Sequence, residues 1–506
     1  MNAMRIFRPM AFLLAALHAA AEEPAVPPAM DAATQKAVFQ RLAGTYAATE
    51  KSHDVAAVRT RRSCVEEIGD LRYPPSVAFL DQVLGKERDS GILAAAMVAL
   101  GKVGNLQAVQ AAFGRAMNAR DEFLLDALPW GMRYCRDEKA AAWVADKVLR
   151  SGDAKVRLAA IQSLGVMECK AGTEGLLKRL KEQDATPVYE AAKALGRIGD
   201  ERAVPALREL AANPDGRLRE AAAFALGSAK DDESLLVLCR LLADEAWQVR
   251  ESAVLSLRRL GRKEAAEPLI EGLRGCTRRV AVEIRDTLAE WTQKDFGFDA
   301  DLWRSWWISK GRQEAGAPAK PELTAATYHG IRIDSDRALF VIDTSGSMNW
   351  GDRITKAKEE LSTALHALDA KTRFNLMTFA NSASAFRKEM VPASPEILSQ
   401  ADEWLIRQGP AGGTNTYDVL LKAVAEPGVD SVYFLSDGIP TDGTLIEQEK
   451  ILAEINKANR FLKIRIHTVA FLVGDGPAEA QEDKPAAERF MRRLAEENNG
   501  KAVCKK

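Results

Sequence analysis

The feature that most constrains how this chain folds is an internal repeat of 31 residues. Two series of leucines keep this interval, Leu164, Leu195, Leu226, Leu257 and Leu288 in the first and Leu176, Leu207, Leu238 and Leu269 in the second. Each unit reads as a helix, a turn that contains glycine and a second helix, as in VRLAAIQSLG followed by GLLKRL. One such hairpin cannot bury its apolar face alone, so neighbouring units must stack. The repeat therefore predicts a helical solenoid.

The helix-type pattern extends over residues 36–312, which we predict to be the repeat domain. The segment AAAMVALGKVGN (94–105) reads as another unit, whereas residues 106–150 are irregular. The units resemble HEAT repeats of the short kind found in phycobilisome-lyase-like proteins. That resemblance implies a scaffold of stacked helices. It carries over no lyase activity, because the repeat pattern supplies no catalytic residue.

A tryptophan-rich segment, EWTQKDFGFDADLWRSWW, follows the last repeat. Its tryptophans are Trp291, Trp303, Trp306 and Trp307. They fit a cap that seals the last repeat or docks the next domain. The other interpretation is a platform on which a sugar or another ligand stacks.

The first residues of the chain have the pattern of a secretory signal peptide. Arg5 and Arg8 precede a short apolar run, and three alanines end at Ala21. A positive start, an apolar core and a small-residue end are typical of such a peptide, so we predict that residues 1–21 are removed. The alternative is an uncleaved anchor or a chance apolar helix. We expect residues 22–35 to be a linker, the mature protein to be periplasmic or extracellular, and no membrane span after cleavage.

Charge and cysteine usage exclude several classes of function. Lys+Arg is 70 and Asp+Glu is 71, so the net charge is -1 and there is no basic tail to favour a nucleic acid partner. The six cysteines are scattered without a CxxC pair. This spacing suggests neither a zinc site nor a disulfide framework, although an exported chain could form one bridge that the sequence does not assign.

After a Gly/Pro/Ala-rich linker at 313–335, the pattern changes to alternating strands and helices over 336–506. The strand-like segments are ALFVI (338–342), RFNLMTF (373–379), SVYFLS (431–436), IRIHTVAF (464–471) and KAVC (501–504). Such alternation predicts a mainly parallel, doubly wound sheet covered by helices on both faces. The segment at 383–391 is a candidate antiparallel edge strand. The predicted fold is thus an α-solenoid followed by an α/β domain.

Polar residues follow three segments that such a sheet would bring together. FVIDTSGSM ends the first strand of this domain with Asp343, Ser345 and Ser347. GPAGGTNTYDVL places Thr414 before a helix, and FLSDGIPTDG places Asp437 directly after another apolar strand. Ligands of open α/β sheets bind outside the carboxyl ends of the strands, so these residues form a candidate site.

The chemistry of these residues fits a hard cation. Hydroxyl and carboxylate oxygens suit Mg²⁺, Mn²⁺ or Ca²⁺, and no His or Cys lies in these loops to favour zinc. Three other interpretations are open. An aspartic-protease loop needs a second such loop or a homodimer, and a haloacid-dehalogenase-type phosphatase needs an aspartate where Ser345 stands. The third interpretation is a simple polar turn.

DTSGS, the GGT element and LSDG, in this order, resemble the metal-ion-dependent adhesion site of von Willebrand factor A domains. The resemblance covers about residues 336–506. It implies that Ser345, Ser347 and Thr414 contact the metal and that Asp343 and Asp437 bind it directly or through water. The implied cofactor is a divalent cation, with Mg²⁺ as first choice and Ca²⁺ or Mn²⁺ as alternatives.

We therefore expect an exported binding or scaffold protein whose metal accepts an acidic side chain from a protein partner. A metal-dependent hydrolase that uses the same site is the alternative. It ranks second because the sequence offers no general base beyond the ligands themselves. In either case we expect the loss of Asp437 to leave metal-free stability unchanged or slightly higher, because it relieves repulsion with Asp343.

Overall fold

The structure is a computed structural model that describes residues 30–118, 122–229, 231–309, 326–472 and 478–505. The predicted signal peptide lies outside the described residues, as does the greater part of each predicted linker. Within the described residues, no helix combines the length and the apolar character needed to cross a membrane.

The first part of the chain is a helical solenoid, as the repeat predicts. In chain order its helices are α1 (Ala32–Thr49), α2 (Val55–Asp70), α3 (Val77–Lys86), α4 (Ser90–Val103), α5 (Leu106–Asn118), α6 (Phe123–Met132), α7 (Glu138–Trp143), α8 (Ala154–Met167), α9 (Thr173–Arg179), α10 (Ala185–Ile198), α11 (Val204–Leu210), α12 (Gly216–Leu226), α13 (Asp232–Leu241), α14 (Trp247–Leu260), α15 (Ala266–Gly272), α16 (Arg278–Thr292) and α17 (Ala300–Ser309). Helices α5 to α7 occupy the region whose pattern is irregular, where Pro129 lies inside α6 and a π-helical turn spans Val144–Val148.

The first helices of successive units, α8, α10, α12, α14 and α16, pack side by side. The leucines of the first 31-residue series lie on these helices and are all buried, as predicted. A third series that the sequence analysis missed fixes where the helices begin. Asp153, Asp184 and Asp215 are also 31 residues apart, and each side chain accepts a hydrogen bond from the first turn of its helix. A capped start in these three units helps to keep their leucines in register.

Two glycines that are also 31 residues apart lie inside helices rather than in the turns. Gly165 and Gly196 belong to the last turns of α8 and α10. A Cβ atom on Gly196 would lie 2.4 Å from Cα of Ala225 on the next first helix. These glycines are therefore required for close helix packing. The turn after α10 is made instead by Gly199, which has a φ of 65°.

The tryptophan-rich segment seals the end of the solenoid. Trp303 is fully buried, packs edge-on against Phe296, and donates its indole N–H to the carbonyl of Gly297 over 3.0 Å. Trp306 and Trp307 lie half-buried against the same core. These contacts support the cap interpretation, because the rings fill the space that a further repeat would occupy.

An α/β domain follows. Its elements are β1 (Thr327–Tyr328), β2 (Ile331–Arg332), β3 (Arg337–Asp343), α18 (Arg353–His366), β4 (Arg373–Phe379), β5 (Ala383–Ala385), β6 (Val391–Pro392), α19 (Pro395–Arg407), α20 (Thr416–Val424), β7 (Ser431–Ser436), α21 (Gln448–Asn459), β8 (Arg465–Phe471), α22 (Ala478–Glu497) and β9 (Ala502–Lys505). The hairpin β1–β2 lies in the segment predicted as linker. It packs on the domain core through Tyr328 and Ile331.

The central sheet has the order β5-β4-β3-β7-β8-β9, and β6 also pairs with β4. Neighbours among β4, β3, β7, β8 and β9 run parallel, whereas β5 and β6 run antiparallel to β4 at the edge. Alternate residues of β3 enter separate cores, Phe340 on one face and Val341 on the other. The predicted doubly wound sheet, including its antiparallel edge, is confirmed.

The solenoid contacts the amino ends of the strands. Arg465, the first residue of β8, forms ion pairs with Glu251 (2.7 Å) and Glu283 (2.6 Å) on α14 and α16. Arg279 of α16 donates to the backbone carbonyl of Asp430, the residue before β7, over 2.8 Å. The carboxyl ends of the strands lie at the opposite edge of the sheet, away from these contacts.

Helix α21 and the turn that follows it extend the interface along the solenoid. Lys457 forms an ion pair of 2.7 Å with Asp126 of α6, and Phe461 packs edge-on against Tyr189 of α10 at a centroid distance of 5.0 Å. Every solenoid residue named in these contacts belongs to the first helix of its unit. At these positions the face formed by the first helices is covered by the chain's own α/β domain.

Candidate functional site

The candidate site lies where β3 and β7 end. The two strands are parallel neighbours, with Ile342 opposite Leu435, so their carboxyl ends meet at one edge of the sheet. Asp343 is the last residue of β3, and Asp437 directly follows β7. Two aspartates that are 94 residues apart in sequence are thereby placed side by side.

Asp343 is a fully buried carboxylate. Its Oδ1 accepts a hydrogen bond from the backbone N–H of Ser345 (2.7 Å), and its Oδ2 accepts one from the hydroxyl of Ser436 (2.6 Å). Burial, followed by the nearby negative charge of Asp437, raises the pKa of Asp343 well above its ordinary value. Negative charge on both aspartates is therefore unfavourable in this site, and a bound cation would offset the repulsion between them.

The two serines of the first loop connect the aspartates. The hydroxyls of Ser345 and Ser347 lie 3.1 Å apart, and Ser347 donates to Oδ1 of Asp437 over 2.8 Å. Each of these oxygens is in contact with the next. A cation would replace these mutual hydrogen bonds.

Thr414 lies on a loop that is bonded to the first loop. The backbone N–H of Gly346 donates to the carbonyl of Gly412 (3.0 Å), and that of Ala411 donates to the carbonyl of Thr344 (2.8 Å). Thr414 itself is buried. The structure therefore brings four of the predicted residues, Asp343, Ser345, Ser347 and Asp437, into one hydrogen-bonded group and places Thr414 on the adjoining loop.

Asn381 is a residue of this edge that the sequence analysis missed. It follows β4, its Oδ1 accepts the backbone N–H of Gly413 (3.2 Å), and its carbonyl accepts the side chain of Asn415 (3.0 Å). A Cβ atom on Gly412, whose φ is 76°, would lie 1.8 Å from Oδ1 of Asn381. Glycine is thus required there. The sequence feature that could have indicated this residue is an asparagine two residues after the end of a predicted strand.

Arg353 is the second missed residue and the most consequential one. It is the first residue of α18, its side chain is 3% exposed, and its Nη1 lies 2.6 Å from Oδ2 of Asp437. The side chain of Asp437 is fully buried. The expectation that losing Asp437 only relieves repulsion is therefore wrong, because such a loss also leaves the guanidinium without this carboxylate.

The donor set fits a hard divalent cation. Two carboxylates and neighbouring hydroxyls offer oxygen alone, as Mg²⁺ and Ca²⁺ prefer. Across the described ranges, no three His, Cys, Asp or Glu side chains come together as a metal-binding group. A cation at this edge would therefore depend on the hydroxyls as much as on the carboxylates. The residues that would hold it are Asp343, Ser345, Ser347, Thr414 and Asp437.

Comparison with known protein families assigns both parts of the chain. The family described as HEAT repeats matches residues 142–226 and 209–288. The family described as von Willebrand factor type A domain matches residues 337–504. These matches confirm the resemblance of the first part to HEAT repeats and of the second part to von Willebrand factor A domains.

Two curated relatives each match about a third of this chain. The inter-alpha-trypsin inhibitor heavy chain H2 of Sus scrofa is 30% identical over 178 residues, which are 32% of this chain and 17% of that protein. The von Willebrand factor A domain-containing protein 3A of Homo sapiens is 26% identical over 170 residues, which are 33% of this chain and 13% of that protein. The chain thus spans less than a fifth of the length of these relatives.

Two solved structures are each similar to part of the chain. A von Willebrand factor type A protein from Catenulispora acidiphila is 20% identical with a TM-score of 0.28, covering 34% of this chain and 38% of its own. The phycocyanin lyase complex from Nostoc is 21% identical with a TM-score of 0.27, covering 57% of this chain and 98% of its own. The domain assignments rest on the family matches and the observed architecture.

Proposed function

We propose that this chain, which joins HEAT repeats to a von Willebrand factor type A domain, is an exported protein that binds other proteins. The α/β domain holds a divalent cation, Mg²⁺ before Ca²⁺ or Mn²⁺, and that cation accepts an acidic side chain of the partner. The bound cation supplies a Lewis-acidic position for a carboxylate oxygen. The residues proposed to hold it are Asp343, Ser345, Ser347, Thr414 and Asp437.

One observation carries the proposal. The hydroxyls of Ser345 and Ser347 and the carboxylate of Asp437 form a continuous series of contacts next to the buried Asp343. Buried carboxylates that are close together destabilise a protein unless a positive charge compensates them. A bound cation would supply such a charge, so this group is better explained as a metal site than as a part of the fold that only adds stability.

The position of the group supports a protein partner. It lies at the carboxyl edge of the sheet, whereas Arg465 and Arg279 bind the solenoid at the amino edge. The solenoid contacts therefore leave this edge to an incoming protein. Arg353 already compensates one of the two carboxylates, so part of the charge of a bound divalent cation would stay uncancelled, which favours an acidic group from outside.

Binding is preferred to metal-dependent hydrolysis for a structural reason. The histidines between residues 326 and 472 contact other groups: His329 lies near Glu360, His366 bonds Asp402, and His467 accepts the backbone N–H of Lys501. None of these contacts brings an imidazole to the carboxyl edge as a general base.

Export is the second part of the proposal, and it is supported by the sequence of residues 1–21. The arginines, the short apolar run and the alanines that end at Ala21 are what a secretory system reads. N-terminal sequencing of the protein purified from its native host should find a mature chain that begins near Glu22. A soluble chain that retains Met1 would contradict export.

Affinity capture tests the binding function. The mature protein is immobilised and exposed to the envelope or culture fluid of its host, with Mg²⁺ or with EDTA, as the wild type and as Ser345→Ala. We expect partners that bind only with Mg²⁺, that are lost in Ser345→Ala, and that a glutamate-containing peptide displaces. Ser399→Ala, an exposed serine on α19, is the matched control and should behave as wild type. A partner retained equally in EDTA and in Ser345→Ala would contradict the role of the metal. Metal-dependent turnover of a phosphate or peptide substrate would favour the hydrolase.

A further inference from the structure

Asp437 has two different environments, one for each of its oxygens. Its Oδ1 accepts the hydroxyl of Ser347 over 2.8 Å, on the side of the proposed metal ligands. Its Oδ2 contacts Nη1 of Arg353 over 2.6 Å, within the protein. One carboxylate therefore links the proposed metal site to a buried guanidinium.

The position of Arg353 is unfavourable for a cation unless a carboxylate compensates it. It is the first residue of α18, where the helix dipole repels positive charge, and its side chain is almost completely buried. A turn with φ of 58° at both Gly351 and Asp352 leads the chain into this position. Left-handed backbone at a non-glycine residue costs conformational free energy. The contact between the guanidinium and Asp437 therefore forms in spite of an unfavourable backbone conformation at Asp352.

The charges of this group determine how strongly a cation binds. In the carboxylate form that binds a cation, Asp343 and Asp437 carry two negative charges, and the guanidinium of Arg353 reduces the charge of the group to one negative charge. A divalent cation would leave the group with one positive charge, whereas the same carboxylates without Arg353 would neutralise the cation. An incoming carboxylate restores neutrality only when the guanidinium is present. In a buried site of low effective dielectric, one unit of charge changes ligand affinity strongly.

We infer that Arg353 is an internal counter-ion that weakens the binding of the divalent cation alone and makes the cation and an acidic ligand bind cooperatively. This inference rests on the proposed function of the same site. Coupling of this kind is reciprocal, so the acidic ligand must increase the affinity for the metal by the same factor by which the metal increases the affinity for the ligand. Arg353 acts through Asp437 and is a positioning residue rather than a ligand.

Two variants separate its charge from its hydrogen bond. Arg353→Gln retains a donor and loses the positive charge, and Arg353→Lys retains the charge. Each is titrated calorimetrically with MgCl2 after removal of metal, and circular dichroism checks the fold. We expect Arg353→Gln to bind Mg²⁺ at least about tenfold more tightly than the wild type and to melt at a lower temperature without metal. Arg353→Lys should bind Mg²⁺ as the wild type does.

A second measurement on the wild type needs no substitution. The Mg²⁺ titration is repeated with an excess of a capped Gly-Glu-Gly peptide and, as control, the corresponding glutamine peptide. The glutamate peptide should increase the affinity for Mg²⁺, the glutamine peptide should not, and the increase should be smaller in Arg353→Gln. This measurement decides the inference even where Arg353→Gln does not fold.

The outcomes separate this inference from the proposed function. If the wild type binds Mg²⁺ and folded Arg353→Gln binds it equally or less tightly, the inference is overturned and the metal site stands. If only Arg353→Gln binds Mg²⁺ measurably, the inference holds in its strongest form. If neither protein binds Mg²⁺ with or without the glutamate peptide, both the inference and the proposed metal site are wrong.

Discussion

The two ends of the central sheet both carry buried charge, but they balance it differently. At the amino end, Glu251 of the solenoid is 2.6 Å from Arg279 and 2.7 Å from Arg465, so each carboxylate oxygen meets a guanidinium from the same chain. At the carboxyl end, Asp437 contacts the guanidinium of Arg353, whereas the two oxygens of Asp343 accept hydrogen bonds from neutral groups of Ser345 and Ser436.

The pKa shifts follow this difference in charge balance. Burial alone would raise the pKa of Glu251, but Arg279 and Arg465 overcome that effect and hold it below its ordinary value. Burial also raises the pKa of Asp343, and there the neighbouring Asp437 adds to the increase. The amino end is thus complete without a ligand and joins the two domains, whereas the carboxyl end is left short of positive charge. A ligand is expected only at the second end.

The largest expected effect on stability comes from removing a buried carboxylate at the amino end of the sheet, where the charges are balanced. Glu251→Ala removes the carboxylate shared by two buried arginines, and we expect the free energy of unfolding to fall by about 3–5 kcal/mol. Urea unfolding at neutral pH measures this change. Glu245→Ala, at a side chain that is 85% exposed and also contacts an arginine, is the matched control and should cost no more than about 0.5 kcal/mol. Equal stability of Glu251→Ala and the wild type would show that the amino end is not balanced by this contact.

The pH dependence of the free energy of unfolding tests whether His467, in a strand that begins at the amino end, is buried as a neutral imidazole. Burial, followed by the charges of Arg465 and Lys501, lowers the pKa of His467 to about 3, from 6.5 for the ordinary group. As the pH falls from 6.5 towards 3, the His467 imidazole is protonated in the unfolded chain but stays neutral in the folded chain. The free energy of unfolding therefore decreases across that pH range. The contribution is about 3 kcal/mol at pH 4. His467→Asn retains an acceptor for the backbone N–H of Lys501 and should reduce the loss. Parallel pH profiles of the two proteins would contradict the burial of a neutral imidazole.

A smaller contrast is expected between the two aspartates of the carboxyl end in EDTA. Asp437→Asn leaves the buried Arg353 with a neutral partner, so we expect a loss of about 1–3 kcal/mol. Asp343→Asn removes a buried charge and can still meet Ser345 and Ser436, so its stability should stay within about 1 kcal/mol of the wild type or rise. Thermal unfolding of both variants measures the contrast. The opposite order of stability would show that Arg353 does not compensate Asp437.

The features that were predictable from the sequence are those that a local pattern of apolar and polar residues determines. The bounds of β4 and β7 were predicted to the residue, because each strand is an apolar run between polar turns. The location of Asp343 and Asp437 at one edge also followed, because parallel neighbouring strands end together. The hairpin β1–β2 was missed because its two strands have only two residues each and offer no periodicity.

The partners of buried charges were not predictable in the same way. Arg353 and Asp437 are 84 residues apart, and Arg465 and Glu251 are 214 apart. Within its own segment, Arg353 reads as an ordinary residue at the start of an amphipathic helix. Its pairing depends on the turn at Gly351 and on which strands are neighbours. A single sequence therefore indicated which end of the sheet carries the candidate site, but not which side chains of the same chain balance its charge.

The most direct test of the account is a calorimetric Mg²⁺ titration of the metal-free protein as the wild type, Ser345→Ala and Glu251→Gln. We expect one Mg²⁺ per chain for the wild type, no measurable binding for Ser345→Ala, and unchanged binding for Glu251→Gln, because the carboxyl end of the sheet is short of positive charge and the amino end is not. Mg²⁺ should likewise raise the melting temperature of the wild type and not that of Ser345→Ala. If Ser345→Ala binds Mg²⁺ with wild-type affinity, or if the wild type binds none, the carboxyl end is not a metal site and the central claim is wrong.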